Sequence, residues 1–438
     1  MCIRDSNYID TSIVSNAEKV MYREYAAAKA IRAWTCMQIA LNYGSVTFLE
    51  EPVLFVEDAF NTYPEYTIDE LAPVLIRDLE PIKDIPAVVP ISLGEDITSE
   101  NLFFPVRFLL GDLYLWTGEY EKAAQEYRDL MFLESHLITN RYQSDWEVIN
   151  GVFVEYEPDW SMIFDLVNSE NEQITMIAGS MQFGRGSTLD SISLNFQIAP
   201  SGVSLGHWNN QLYYHTATVV NQGDLREMSS YFPFGFKTTD IGRNLNDDMI
   251  QEGMISKFYH MSTATSKGIH VYRSGLLYLR YAEAINRSGK PNTAFAVLKH
   301  GMKEITFKID TIVPAREKFA SRVDSSFYAY LNFSDPRFNN NIGVHARGCG
   351  NVHLAKDFKI PSLPGLQDSI IYVEDKIIEE LALETAFEGN RFHDLMRIAL
   401  RKNDPAYLAD RVSAKYETGI QSAMQSRLMN TDNWYLSK

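Results

Sequence analysis

The chain has 438 residues, of which 40 are Lys or Arg and 57 are Asp or Glu, so its formal net charge is −17. This charge argues against nucleic acid as a partner. Hydrophobic residues make up 45% of the chain and charged residues 22%, a balance that is typical of globular proteins and excludes disorder and collagen-like structure.

The three cysteines, Cys2, Cys36 and Cys349, have neither a paired framework nor the spacing of a metal module, and we expect no metal and no other cofactor. No stretch approaches the roughly 18 consecutive apolar residues of a membrane span. The opening residues lack the charged and apolar regions of a secretory signal. The first six, MCIRDS, look like a foreign leader, so we expect the true N-terminus to be missing.

The N-terminal part of the chain is helical by its apolar period. Apolar residues recur mostly three or four positions apart from Asn16 to Tyr43, which predicts one long helix or a close pair that ends at Gly44. A second helix is predicted over Ile68–Ile82, because Thr67 and Glu70 have the spacing of a capping box.

A helix pair of the tetratricopeptide (TPR) kind is predicted over Asn101–Glu134, with Gly118 at its turn. The same pattern recurs less clearly in Leu276–Lys303 around Gly289 and in Val373–Lys402 around Gly389. The turn glycines are 100 or more residues apart, whereas a tandem array would place them about 34 apart. These are therefore scattered helical hairpins.

The predicted fold class is mainly α, an α-α superhelix of scattered TPR-like pairs within a single domain that covers residues 1–438. The framework helices are expected at about 16–134, 272–303 and 373–402, with insertions at about 140–271 and 304–372. Short β-like runs occur at 174–177, 191–196 and 213–220, separated by glycine-bearing loops such as PSGVSLGHWNN. Loops of this size in a compact domain usually carry a function, so the functional site is expected in the insertions.

The aromatic loops of the first insertion are the candidate ligand-binding residues. Sugar rings pack their C–H faces on flat aromatic surfaces while their hydroxyls pair with amides and charged groups. The candidates are Trp208, Asn209, Asn210, Tyr213 and Tyr214, with Trp146 and Tyr231 as weaker ones. The alternative, that these rings seal the insertion onto the helices, stays open.

No catalytic residues are predicted. Glycoside cleavage needs two carboxylates held about 5 Å or 6.5–9.5 Å apart, and strand alternation places Glu155 and Glu157 on a solvent-facing side, with Asp159 nearby in the chain. Cys349 and His353 are a solitary pair, which is too few ligands for a metal. The Gly184–Gly186 loop has no phosphate-binding spacing and is interpreted as a turn.

Glu380, Glu384 and Glu388 share one helix face at four-residue steps and would repel one another without cations. We predict a structural ion-pair network around them. The local candidates for its cations are Arg391, Arg397 and Arg401.

The segment from Glu374 to Ile398 resembles the C-terminal signature of the SusD/RagB family. The matching residues are Glu380, Glu384, Glu388, Gly389, Arg391, Asp394, Leu395 and Arg397. The segments AAAKAIRAWTCMQIALNYGSVTFLEEPV and LLYLRYAEAINRSGK resemble two further segments of that family, in the same order.

The resemblance implies a SusD-like, non-enzymatic nutrient-binding lipoprotein on the extracellular face of the outer membrane. Such a protein captures a glycan for polysaccharide utilisation and delivers it to a SusC-like TonB-dependent transporter. The lipid anchor is implied by the family and is expected upstream of the Asn7 region, because Cys2 lacks a lipobox. A TPR-type peptide-binding scaffold and, less favoured, a glycoside-cleaving enzyme are the alternatives.

Overall fold

The structure, a computed structural model, forms two compact units. It describes residues 21–50, 53, 55–92, 98–149, 152–155, 159–164, 172–180, 197–214, 220–232, 254–257, 266–318, 329–350 and 355–437. Unit 1 comprises the described residues of Met1–Gly94, Thr98–Leu130 and Phe392–Lys438, and unit 2 those of Met131–Arg391. The single SusD-like domain over 1–438 and its division into framework and insertions stay predictions.

Helices dominate the described residues, which confirms the predicted mainly α class. In chain order they are α1 Met21–Tyr43, α2 Ile68–Leu79, α3 Val106–Thr117, α4 Tyr120–Leu133, α5 Gly202–Asn209, α6 Ser274–Arg287, α7 Pro291–Lys299, α8 Glu304–Lys308, α9 Ala346–Cys349, α10 Leu366–Glu384, α11 Arg391–Lys402, α12 Pro405–Ser413 and α13 Thr418–Leu428. None of these helices combines the length and the apolar character that a membrane span requires.

The strands are short and pair two by two in antiparallel ladders within the described residues. The pairs are β1 Val46–Thr47 with β2 Glu65–Tyr66, β3 Trp146–Ile149 with β4 Val152–Glu155, β5 Gln173–Ser180 with β10 Ser266–Arg273, β6 Leu212–Tyr214 with β7 Val220–Gln222, and β8 Tyr231–Phe232 with β9 Met254–Ile255. Of the predicted β-like runs, 174–177 lies in β5 and 213–220 is divided between β6 and β7. The run 191–196 lies outside the described residues.

The expected loop PSGVSLGHWNN is wrong over most of its length, because Gly202–Asn209 forms helix α5. The Oγ atom of Ser201 accepts a hydrogen bond from the Ser204 amide at 3.3 Å and so caps the first turn. The glycines of the segment favoured a loop, but this cap and the burial of Trp208 hold the helix.

The N-terminal helix signals are confirmed in unit 1. Helix α1 is followed by Gly44 with φ of 86°, the left-handed conformation that ends helices, while the predicted residues 16–20 lie outside the described part. The Thr67 amide donates to Glu70 Oε2 at 2.9 Å in the predicted capping box. Helix α2 ends at Leu79 and continues as a 3₁₀ turn to Ile82.

The TPR-like pair of unit 1 consists of α3 and α4, joined at Gly118 with φ of 81°. The two helices approach closely because Gly111 has no side chain, which leaves room for the ring of Tyr127. The Tyr127 hydroxyl donates to Asp112 Oδ1 at 2.5 Å, and its ring meets Phe108 edge to face at 5.6 Å between centroids.

Unit 2 is organised around helix α6, in which every residue from Ser274 to Asn286 is buried. Helices α7 and α10 pack against it, and Gly289, with φ of 85°, lies between α6 and α7 as predicted. Tyr278 and Tyr281 bury their rings and satisfy their hydroxyls on the carbonyls of His136, at 3.0 Å, and Tyr330, at 2.7 Å.

Substituting Gly111→Ala is expected to destabilise unit 1 by about 1–3 kcal/mol, since the new Cβ would lie 2.6 Å from Cζ of Tyr127. Gly419→Ala is the matched control, because nothing lies within 4 Å of its Cβ and alanine is the better helix former. Denaturant unfolding followed by circular dichroism measures both. Equal midpoints for G111A and the parent chain would contradict this packing.

Candidate functional site

The side chains of Glu380, Glu384 and Glu388 are buried in unit 2, with 4%, 0% and 3% of their surface exposed. Burying three carboxylates is costly unless each finds a cation. Each does, so the predicted ion-pair network is confirmed. The cations around them are Arg226, Lys257, Arg273 and Arg347.

Glu384 lies at the centre of the network. Its Oε1 accepts from Arg273 Nη1 at 2.6 Å and from Arg347 Nη1 at 2.7 Å, and its Oε2 accepts from Arg226 Nη1 at 2.7 Å. Glu172 bridges the first two arginines, with 2.9 Å to Arg273 Nη1 and 2.6 Å to Arg347 Nη2. The Glu172 carboxylate also accepts from the Gly275 amide at 3.0 Å, at the start of α6.

The network keeps its carboxylates ionised. Burial alone would raise the pKa of Glu384, but the charges of Arg273, Arg347 and Arg226 hold it well below its usual range. Glu172 behaves in the same way, because burial raises its pKa but the charges of Arg347 and Arg273 together lower it further. Carboxylates that stay ionised in this way serve as structural counter-charges and not as proton donors.

The expectation that Arg391, Arg397 and Arg401 supply these cations is wrong. Helix α10 ends at Glu384, so Glu388 lies beyond the helix and the expected shared helix face holds only for Glu380 and Glu384. Helix α11 begins at Arg391 beyond the left-handed Gly389, with φ of 86°, so helical spacing does not extend across that break. Arg391 donates to the Ile378 carbonyl at 2.6 Å, Arg397 pairs with Asp394 at 3.1 Å, and Arg401 donates to the Leu115 carbonyl at 2.9 Å.

Substituting Glu384→Gln is expected to reduce the free energy of unfolding by about 3–5 kcal/mol, because three buried guanidinium groups lose their shared counter-charge. Glu379→Gln is the control. Glu379 pairs with Lys376 with 43% of its side chain exposed, so its loss should cost about 0–1 kcal/mol. Thermal and denaturant unfolding measure the stability of both variants. Equal losses of unfolding free energy would show that the network stabilises the protein no more than a surface ion pair does.

Stability should also fall in acid. Burial by itself would raise the pKa of Glu380, but Arg226 and His345 lower it from 4.5 to about 2. A depressed folded-state pKa stabilises the protein above the ordinary value, and this stabilisation is lost as the pH falls toward 2. The unfolding free energy should therefore decrease between about pH 4.5 and 2, with a smaller slope in Glu380→Gln, as pH-dependent denaturant titrations measure. An unchanged slope in E380Q would contradict this assignment.

A cleft of about 210 Å³ lies in unit 2 beside the network and shares Glu380 with it. Five parts of the chain line the cleft. They are the stretch from the end of α5 into β6, the C-terminal part of α7, the two ends of α9, the 3₁₀ turn at 355–358, and one face of α10. Its lining residues include Asn210, Gln211, Leu212, Tyr214, Phe295, Lys299, His345, Asp357, Phe358, Tyr372, Lys376 and Glu379.

Helix α10 contributes its face through residues three or four positions apart. Tyr372, Lys376, Glu379 and Leu383 therefore point the same way into the cleft. Tyr372 is half-buried and lies 6.5 Å from Phe295 between ring centroids, while Lys376 pairs with Glu379 at 2.7 Å. The face combines an aromatic surface with charged hydrogen-bonding groups.

Another part of the lining comes from the predicted binding loop. Asn210 is exposed, and the Tyr214 hydroxyl donates to Asp357 Oδ2 at 2.8 Å. Of the candidate residues, these two line the cleft. Their role in binding a ligand stays a prediction.

Trp208, Tyr213 and Tyr214 do not form the expected open aromatic surface, because they are only 1%, 3% and 8% exposed. Trp208 stacks on Tyr231 at 6.3 Å and contacts Phe387 at 5.9 Å. The Tyr213 hydroxyl donates to Asp145. These rings pack the insertion, which is the alternative that the sequence left open.

The remaining candidates lie elsewhere. Asn209 is exposed at the end of α5, and the Tyr231 hydroxyl donates to Glu227 Oε1 at 2.8 Å. Trp146 begins β3, and its side chain lies outside what the structure describes. The same holds for the side chains of Glu155 and Asp159, while Glu157, His353 and Gly184–Gly186 are outside the described residues altogether.

Sequence reasoning missed the α10 and α7 sides of the cleft. Tyr372 and Lys376 precede the glutamates of the signature at helical spacing, so the period of the helix could have indicated a shared face. Nothing in the sequence indicated Lys299 or Phe358, because they reach the cleft from segments far apart in the chain.

Asp224, His345 and Cys349 place one potential metal ligand each within 4.8 Å of one another in the described part of unit 2. Their surroundings do not suit a cation. Arg226 already occupies both oxygens of Asp224, with Nη2 to Oδ2 at 2.6 Å and Nε to Oδ1 at 3.0 Å. Burial, with the nearby Asp224 charge, raises the pKa of the Cys349 thiol well above its usual value, which disfavours the thiolate that metals bind.

The sequence matches no family model and no curated protein. The structure is similar to solved structures of SusD-like proteins. A SusD-like protein of Bacteroides fragilis aligns over 91% of this chain and 72% of its own, with 14% identity and a TM-score of 0.56. A SusD superfamily protein of Bacteroides vulgatus aligns over 95% and 74%, with 11% identity and a TM-score of 0.55.

A third structure is described as a SusD-like carbohydrate binding protein of Bacteroides fragilis. It aligns over 86% of this chain and 67% of its own, with 14% identity and a TM-score of 0.52. The chain therefore has the SusD-like fold, which confirms the fold that the sequence resemblance implied.

Proposed function

We propose that this protein binds a glycan in the cleft of unit 2 and releases it unchanged. The observation that carries the proposal is the meeting, in one cleft, of the partly exposed ring of Tyr372 with the hydrogen-bonding groups of Asn210, Asp357 and the Lys376–Glu379 pair. Sugars need both surfaces, an aromatic one for C–H groups and a polar one for hydroxyls. The SusD-like fold, which a solved carbohydrate-binding protein shares, supports the same assignment.

The cleft suits a single ring or a chain end. Its volume of about 210 Å³ is below the roughly 300–1,000 Å³ of pockets that enclose drug-sized ligands. A site that holds one ring loosely releases its ligand quickly, which a delivery protein needs.

The assignment of a cellular location and of a transporter partner rests on the family resemblance. We propose that the protein sits on the extracellular face of the outer membrane through a lipid anchor and delivers its glycan to a SusC-like TonB-dependent transporter. Co-expression of a SusC-like transporter with the protein extended by its upstream coding sequence, followed by co-purification from detergent-solubilised outer membranes, tests this partner. Recovery of the protein in the soluble fraction without the transporter would contradict it.

The alternatives predict different results. A TPR-type peptide scaffold needs contiguous repeats, whereas the pairs α3–α4 and α6–α7 belong to distant parts of the chain and to different units. A glycoside-cleaving enzyme would release reducing sugars, and a reducing-sugar assay with the purified chain measures this directly.

Isothermal titration against neutral and acidic oligosaccharides should detect binding that weakens about threefold to tenfold in Tyr372→Ala, because the substitution removes an aromatic surface from the cleft. Tyr416→Ala is the matched control, since Tyr416 is a half-buried tyrosine of unit 1. Binding that is unaffected by Y372A, or equally affected by Y416A, would move the site away from this cleft.

A further inference from the structure

We propose that the cleft selects a sugar that carries an anionic substituent, a carboxylate or a sulfate, and that the Lys299 ammonium group binds this substituent. The inference rests on the proposed glycan-binding function and names its ligand class. It follows from a comparison of the charged groups that line the cleft.

Lys299 is the last residue of α7 and reaches the cleft half-buried. Within the described residues its ammonium group makes no hydrogen bond and no ion pair, and its Nζ lies over the ring of Phe358 at 5.6 Å from the centroid. A lysine held in this way has lost part of its water without a carboxylate in contact with its ammonium group.

The other charged groups of the cleft have partners. Lys376 pairs with Glu379 at 2.7 Å. Glu380 pairs with Arg226 at 2.8 Å and with His345 at 2.7 Å. Lys299 therefore differs from every other cation that lines the cleft among the described residues.

The backbone around Lys299 is fixed by close packing. A Cβ on Gly343 would lie 2.5 Å from the Lys299 carbonyl carbon, so only glycine permits this approach. The His345 amide donates to the Leu298 carbonyl at 3.0 Å. The lysine stem therefore starts from a rigid position.

The pKa of Lys299 is consistent with this environment. Burial lowers it from the ordinary value of 10.5, and the nearby Glu380 charge, already shared with Arg226, does not restore it. An anion bound beside Nζ would favour the charged ammonium.

The charged groups of the cleft also set the orientation of the ligand. Asp357 is held by the Tyr214 hydroxyl at 2.8 Å and offers its remaining lone pairs to hydroxyl donors, while its charge repels an anion. The ligand should therefore place its anionic group toward Lys299 and its hydroxyls toward Asp357. A net charge of −17 disfavours long polyanions, so a short acidic saccharide or a chain end fits better than a polymer.

The experiment compares sugars that differ only at one carbon. Methyl galactoside, methyl galacturonide and methyl galactoside 6-sulfate, with the corresponding glucosides, are titrated into the protein and followed by ligand-observed NMR. We expect an acidic member of one series to bind about tenfold to a hundredfold more tightly than its neutral member, because a hydrogen bond between two charged groups is stronger than one to a neutral hydroxyl. The carboxylate and sulfate members distinguish the two sources of the charge.

Three variants assign the preference to Lys299. Lys299→Met should abolish the acidic-over-neutral ratio while neutral binding persists, and Lys299→Arg should retain it. Lys415→Met, which removes a lysine that lies over the Tyr416 ring in unit 1 and outside the cleft, should leave the ratio unchanged. Circular dichroism melting checks that each variant is folded.

Each outcome decides the question. Equal binding of acidic and neutral members, or an unchanged ratio in K299M, overturns the inference and leaves the glycan-binding function standing. Failure of all these sugars and of the wider oligosaccharide panel overturns both.

Discussion

Unit 2 depends on the burial of negative charge at the end of one helix. Glu384 has no exposed side-chain surface, and taking a carboxylate out of water costs several kcal/mol unless its oxygens are matched by donors. Three guanidinium groups, those of Arg226, Arg273 and Arg347, supply the match. These arginines come from segments 158, 111 and 37 residues away in the chain. The network therefore holds segments that are distant in the chain against the helix that ends at Glu384.

The same constraint explains why small residues occur beside the charges. A Cβ on Gly275 would lie 3.2 Å from Arg347 Nη1 and would collide with Arg273 and Glu384. Gly348 lies against Asp224 and Arg226 in the same manner. The ion cluster leaves no spare volume at these two positions, so a side chain there would displace its charged groups.

Helix α10 connects this structural role with the proposed function. Its buried end carries Glu380 and Glu384 into the network, while Tyr372, Lys376 and Glu379 line the cleft. Glu380 takes part in both, because it pairs with Arg226 and also lines the cleft. The network thus fixes the helix face that the cleft presents to a ligand, and a rigid face positions a ligand better than a mobile loop does.

The sequence by itself determined much of the local structure, although it missed helix α5. The capping box at Thr67, the left-handed glycines Gly44, Gly118, Gly289 and Gly389, and the need of the buried glutamates for cations all depend on neighbours within a few residues. Only the tertiary structure decided which arginines neutralise the buried glutamates. It also decided that Trp208 and Tyr213 are buried rings and that Lys299 lines the same cleft as Tyr372. These facts depend on contacts between distant segments, which side-chain spacing along the chain does not encode. Aromatic residues near glycine suit a ligand surface and a packed core equally well, and burial alone separates the two.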